Sequence, residues 1–92
     1  MRSFRNAATR AVFERRFLPH LPNDIQPIAL RKLRMLHNAA ALDDLRSPPG
    51  NRLEKLAGQR AGQCGIRIND QWRVCFHWRD GDVHDAEICD YH

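Results

Sequence analysis

Ninety-two residues suffice for one modest core, so two independently folded units are excluded and residues 1–92 are read as a single domain. A composition of 42% hydrophobic and 28% charged residues excludes disordered and fibrous classes, and no run approaches the ~18 apolar residues of a bilayer-spanning helix. The net charge of +4 is uneven: residues 1–34 carry eight basic and two acidic side chains, residues 35–92 seven and nine. Thirteen of the fifteen basic residues are arginine, whose planar fork suits phosphate, so a polyanionic partner and a plain arginine-rich solvated surface both fit.

The opening is Arg-rich but lacks a secretory apolar core. Cys64, Cys75 and Cys89 form no CxxC motif and cannot all pair within one chain, which points to a reduced, cytoplasmic setting. Neither the cysteines nor the five histidines show zinc-finger or HExxH spacing, so no metal and no cofactor is expected.

In chain order, residues 1–4 read as a short strand or arm. From Arg5, the positions Ala8, Ala11, Val12, Phe13 and Phe17 recur at helical spacing and predict a first helix to about Phe17. Pro19 and Pro22 interrupt it. Asn23 or Asp24 is placed to cap a second helix with the apolar stripe Ile25, Ile28, Ala29, Leu33, Leu36 and Ala40, and Pro27 fits its first turn. After the loop Ser47-Pro48-Pro49-Gly50 the period falls to two. Short strands are predicted over 52–56 and 64–68, then over 72–79 and 83–89, with turns at 58–62, 69–71 and 78–81. A type I turn with Gly81 in a G1 bulge predicts Val74 opposite Ala86 and Trp72 opposite Ile88, and sets His84 against Phe76. The expected fold is α+β: two N-terminal helices packed on one face of a twisted antiparallel sheet.

A three-residue loop at 69–71 sets Ile68 against Trp72 on the core side and Arg67 against Arg73 on the other. Directly opposed like charges destabilise a strand pair. Either a carboxylate, for which Glu87 is the candidate, or a bound anion explains the pair. The sequence ends Asp90-Tyr91-His92, which reads either as a polar tail or as proton-transfer groups beside the arginines. Strand parity turns Asp90 away from Arg73, so a site there requires the strand to kink or release after Cys89.

The opening Met1-Arg2-Ser3-Phe4, the run Arg52 to Leu56 followed by Gly58 and Gly62, the segment Ile66 to Val74, the Asp80-Gly81-Asp82 turn and the terminal Asp90-Tyr91-His92 together resemble the HigB toxins, or plasmid maintenance system killer proteins, of the RelE superfamily. The resemblance covers essentially the whole chain. It implies a RelE-like toxin of a type II toxin–antitoxin pair that enters the A site of the 70S ribosome and cleaves translated mRNA without a metal. It implies a HigA-like helix-turn-helix antitoxin as partner, operator DNA reached only through that antitoxin, and no membrane. Carried over by position, Arg73 matches the arginine near the scissile phosphate, Arg67 a basic position used for RNA, and Asp90, Tyr91 and His92 the C-terminal active-site residues. The chain departs from well-known members at Glu54, where they carry His, and at Ala57, where they carry Lys. Glu54 is read as a substitute.

Metal-free RNA cleavage needs a base for the 2′-hydroxyl, cations for the developing charge and an acid for the departing 5′-oxygen. Arg73 and Arg67 supply cations, with Arg60 and Lys55 as further RNA contacts. His92 is the leading acid or base, Asp90 its orienting group, Glu54 the reserve base and Tyr91 a stacking or donor group. The alternative is a noncatalytic module that uses the same arginines only to bind nucleic acid or a partner chain.

Overall fold

A computed structural model describes residues 1–90; Tyr91 and His92 lie outside the described residues. The fold is α+β, with helices α1 (Ala7–Phe13) and α2 (Gln26–Asn38) packed on one face of a four-stranded antiparallel sheet. The strands β1 (Glu54–Lys55), β2 (Cys64–Arg67), β3 (Trp72–Arg79) and β4 (Asp82–Asp90) are ordered as in the sequence. Among the described residues no helix is long and apolar enough to cross a membrane.

Helix α1 starts where the Asn6 side chain accepts from the Thr9 amide at 2.9 Å. It stops at Phe13, four residues before the expected end. Arg15 turns left-handed at φ 64°, its amide donating to the Val12 carbonyl and that of Arg16 to Ala11. This is a Schellman stop formed without the glycine that usually announces it. The expected side-chain cap on α2 is also absent: neither Asn23 nor Asp24 caps it, and Ile25 stands at the N-cap with Pro27 in the first turn. The Gln26 amide instead ties down the interhelical loop, accepting from the Leu18 amide at 3.0 Å and donating to the carbonyls of Leu18 (2.7 Å) and Leu21 (3.0 Å).

Val12, Ile25, Ala29, Leu33 and Leu36 from the helices pack against Ile66, Ile68, Val74, Phe76, Val83 and Ala86 from the sheet side; Trp72, expected on the core side, borders this core together with Trp78. The N-terminal arm runs parallel to β4, where Phe4 bridges Ala86 and the Arg2 amide donates to the Val83 carbonyl at 2.7 Å. This covers an edge that would otherwise present unpaired backbone.

The hairpin between β3 and β4 differs from expectation in its partners. Asp80 (φ 53°) and Gly81 (φ 73°) are both left-handed, and Arg79 pairs with Asp82, so the connection is a two-residue type I′ turn. A bulge between Cys75 and His77, with Asp85 at φ 55°, adds a second one-residue offset. Val74 therefore faces Ile88, Trp72 faces Asp90, and His84 faces His77 rather than Phe76. Beyond the bulge the two offsets restore the original parity, so residues 86–90 keep their expected faces with different partners; before it the faces are reversed, with Val83 in the core and His84 paired with His77 off the core side.

A polar tie went unseen in the sequence. Asn51, fully buried, accepts from the Lys32 ammonium and donates to the carbonyls of Leu45 (3.1 Å) and Ser47 (3.4 Å). It thus joins α2 to the loop that enters the sheet. Burial first, and then the charges of Arg31 and Arg67, hold the Lys32 ammonium below the usual lysine pKa, so this site tolerates the cation only through its partner. Asn51→Ala should orphan Lys32 and two carbonyls. The expected loss is about 2 kcal/mol, read as a melting temperature roughly 8–16 °C lower. An unchanged melting curve contradicts this role.

Candidate active site on the open sheet face

Period-two alternation builds the face away from the helices. Arg73 and Cys75 leave the core side on β3, Gly65 and Arg67 on β2, and Glu87 and Cys89 on β4. Arg67 stands directly opposite Arg73, as expected.

Each arginine has its own carboxylate. Arg67 pairs with Asp70 in the adjoining loop. Arg73 Nη1 lies 2.9 Å from Glu54 Oε1, so the expected Arg73–Glu87 pair gives way to an Arg73–Glu54 pair. The hairpin offsets are the reason: Cys89 faces Arg73, while Glu87 faces Cys75. Glu87 meets Arg60 at 3.1 Å and Arg5 at 3.8 Å.

Glu54 reaches β3 because nothing projects from β2 between them. It pairs with Gly65 across β1 and β2, and Gly65 pairs with Cys75 across β2 and β3. A Cβ at Gly65 would stand 3.3 Å from Leu56 Cδ2, so the glycine also admits the leucine that floors the site. Leu56 forms a small apolar cluster with Cys75 and Cys89. A thiol–thiol hydrogen bond holds the Cys75 pKa below and the Cys89 pKa above the ordinary thiol range, burial adding to the rise at Cys89.

The resulting surface sets two ion pairs, Arg73–Glu54 and Arg60–Glu87, around a dry floor. Arg73 is 17% exposed and Glu54 42%, so the guanidinium is held in place while the carboxylate remains open to water and solute. Beside Arg60 lies a polar cavity of about 200 Å³ lined by Arg5, Gln59, Gln63 and Glu87. A phosphodiester can compete with Glu54 for the fork of Arg73, with further cation supplied by Arg67. It then leaves a carboxylate within reach of the sugar.

Of the residues singled out in the sequence, Arg73, Arg67, Glu54 and Arg60 share this face. Lys55 does not. It pairs with Cys64, whose side chain belongs to the helix-side core, and it lines a cavity with Leu42 and Trp78. Asp90 also stands apart: β4 continues through it in register with Trp72, without the expected release after Cys89, and its carboxylate accepts from the Gln71 amide at 3.1 Å. Tyr91 and His92 lie outside the described residues. Leu56 and Gly65 belong to this candidate site without having been singled out in the sequence, although an isolated glycine within a strand pattern signals a close approach.

A profile of HigB-like toxins, described as RelE-like toxin of type II toxin-antitoxin system HigB, matches residues 2–92. Toxin HigB-1 of Vibrio cholerae is 49% identical over 61 residues, covering 66% of this chain and 64% of that protein. An uncharacterized protein of Haemophilus influenzae is 32% identical over 68 residues, covering 74% of this chain and 67% of that one. The chain thus spans slightly less than two thirds of the Vibrio relative. With a family match along nearly its full length and a sheet topology in accord with it, the chain belongs to the HigB-like family of RelE-like toxins.

Proposed function

We propose that this protein is the toxin of a type II toxin–antitoxin pair and an endoribonuclease that cleaves mRNA on the ribosome. The observation that carries this reading is Arg73 and Glu54 meeting at 2.9 Å on an open, arginine-rich sheet face, a cation and a proton acceptor side by side. Arg73, assisted by Arg67, binds the scissile phosphate and stabilises the charge that develops on it. Glu54 takes the proton of the 2′-hydroxyl, whose oxygen attacks phosphorus. The bond from phosphorus to the 5′-oxygen breaks, leaving a 2′,3′-cyclic phosphate. His92 protonates the departing 5′-oxygen, and Tyr91 stacks on or donates to the nucleotide. Arg60 holds the adjoining backbone. Asp90, tied to Gln71, steadies the strand end that carries Tyr91 and His92. Two guanidinium groups supply the positive charge, so the reaction proceeds without a metal. The ribosome positions the mRNA, and a helix-turn-helix antitoxin of the HigA kind neutralises the protein.

Expression without the antitoxin should arrest growth, with transcripts cut inside translated reading frames. Intact transcripts during arrest contradict the nuclease reading and favour a module that binds without cutting.

A further inference from the structure

Two cysteines lie at the floor of the arginine face, and the proposed cleavage uses the thiol of neither. Cys75 is fully buried and Cys89 is 4% exposed. They pack with Leu56 in a cluster separate from the helix-side core, which holds Cys64. Their thiols hydrogen-bond to each other, and Cys89 Sγ also lies 3.4 Å from the Glu87 carbonyl oxygen. Neither is part of a disulfide.

The register ties this pair to Arg73. Cys89 is the direct cross-strand partner of Arg73 and Cys75 that of Glu87, so the two cysteines are diagonal neighbours across β3 and β4. Diagonal Cα atoms stand ~7–8 Å apart, whereas a disulfide spans up to ~6.8 Å. The thiols already meet, but joining them draws the strands together at the position that aims Arg73. The hydrogen bond from Cys89, with the charges of Arg60 and Arg73, holds the Cys75 pKa below the ordinary thiol range against burial, and the thiolate is the reactive form. The cover over the pair is slight. Leu56 follows directly on β1, an edge strand of two exposed residues, and a segment with so few buried contacts opens locally at low cost.

We propose that Cys75 and Cys89 are a peroxide-oxidisable dithiol whose disulfide switches off the arginine face. The switching rests on the role given to Arg73 above; the bond itself does not. The Cys75 sulfur attacks one oxygen of hydrogen peroxide, the O–O bond breaks, and the hydroxide released takes up the proton that the thiol has lost. Cys75 is then a sulfenic acid. The Cys89 sulfur attacks it, the S–O bond breaks, and the oxygen leaves as water with the Cys89 proton. The thiols are oxidised to one disulfide while the peroxide is reduced to water.

The test treats the reduced chain with hydrogen peroxide, removes the excess with catalase, and reads both the linkage and translated-mRNA cleavage. Trypsin separates the cysteines at Arg79, so a Cys75–Cys89 bond appears by mass spectrometry as joined peptides. Cleavage should fall about 10²-fold, the scale of misplacing a positioning group by ~1 Å, and dithiothreitol should restore it. Cys75→Ser should cut at one rate before and after peroxide. In Cys89→Ser, dimedone should trap the sulfenic acid on Cys75. Thiols that all remain titratable after peroxide overturn the proposal, as does a bond that involves Cys64 or joins separate chains. So does a Cys75→Ser chain that peroxide inhibits as strongly as the wild type. A Cys75–Cys89 bond that leaves cleavage unchanged overturns the switch. If the reduced chain never cleaves while the bond forms, the nuclease reading fails and the dithiol stands.

Discussion

Arg73→Ala should lower the rate of mRNA cleavage about 10²–10³-fold, the scale of removing one preorganised group that stabilises transition-state charge. The large effect follows from its placement. Arg73 is mostly buried, directed by the β3 ladder onto the open face and clamped by Glu54, so its fork is already oriented when phosphate arrives. Arg73→Lys should recover only part of the rate, because a point charge replaces a bidentate fork. Stability should change little. Glu54 is 42% exposed and rehydrates when its partner is removed, so the lost pair is worth up to ~1 kcal/mol. The repulsion from Arg67 across the strand pair is also relieved. Differential scanning fluorimetry beside single-turnover cleavage separates the two effects. A fall in melting temperature as large as that of Asn51→Ala, with cleavage preserved, makes Arg73 a brace for the sheet instead.

Removing His92 should cost on the order of 10²-fold or more in cleavage rate, the usual magnitude for a general acid or base. In the proposed chemistry Glu54 accepts the proton of the 2′-hydroxyl and His92 supplies one to the departing 5′-oxygen. His92 follows two residues after Asp90, the last paired position of β4 among the described residues. A chain ending at Tyr91 should therefore bind ribosomes and antitoxin normally while cutting slowly. His92→Gln should behave alike, since its amide hydrogen-bonds but does not titrate. Cleavage at the wild-type rate by the shortened chain makes the terminus a tail and leaves Glu54 to act with water alone.

The parts of the fold legible in the sequence were those carried by periodicity. The change from a 3.6-residue to a two-residue repeat after Gly50 separates helices from strands, and the alternation through Trp72, Val74, Phe76 and Trp78 places Arg73 and Cys75 on the far face. What alternation does not encode is which strands meet. Asp80-Gly81 suits more than one turn type, and nothing local marks Asp85 for a bulge, so the partners of Arg73 were misassigned while its face was right. Long-range polar ties were equally hidden: Glu54 reaches Arg73 only because Gly65 is bare, and the buried Lys32 ammonium finds its hydrogen-bond acceptor nineteen positions away. The end of α1 was missed for a local reason, since an arginine occupies the left-handed position where glycine would have signalled the stop.

On the proposed reading, this open sheet face cuts mRNA as it is translated. Primer extension on a reporter incubated with the purified protein and 70S ribosomes tests it most directly, with transition metals chelated and ribosomal magnesium retained. The expected products are discrete 5′ ends within the reading frame, absent when translation is blocked, absent with Arg73→Ala, and unaffected by chelation. An uncut reporter, or cleavage restored only by adding a transition metal, contradicts it.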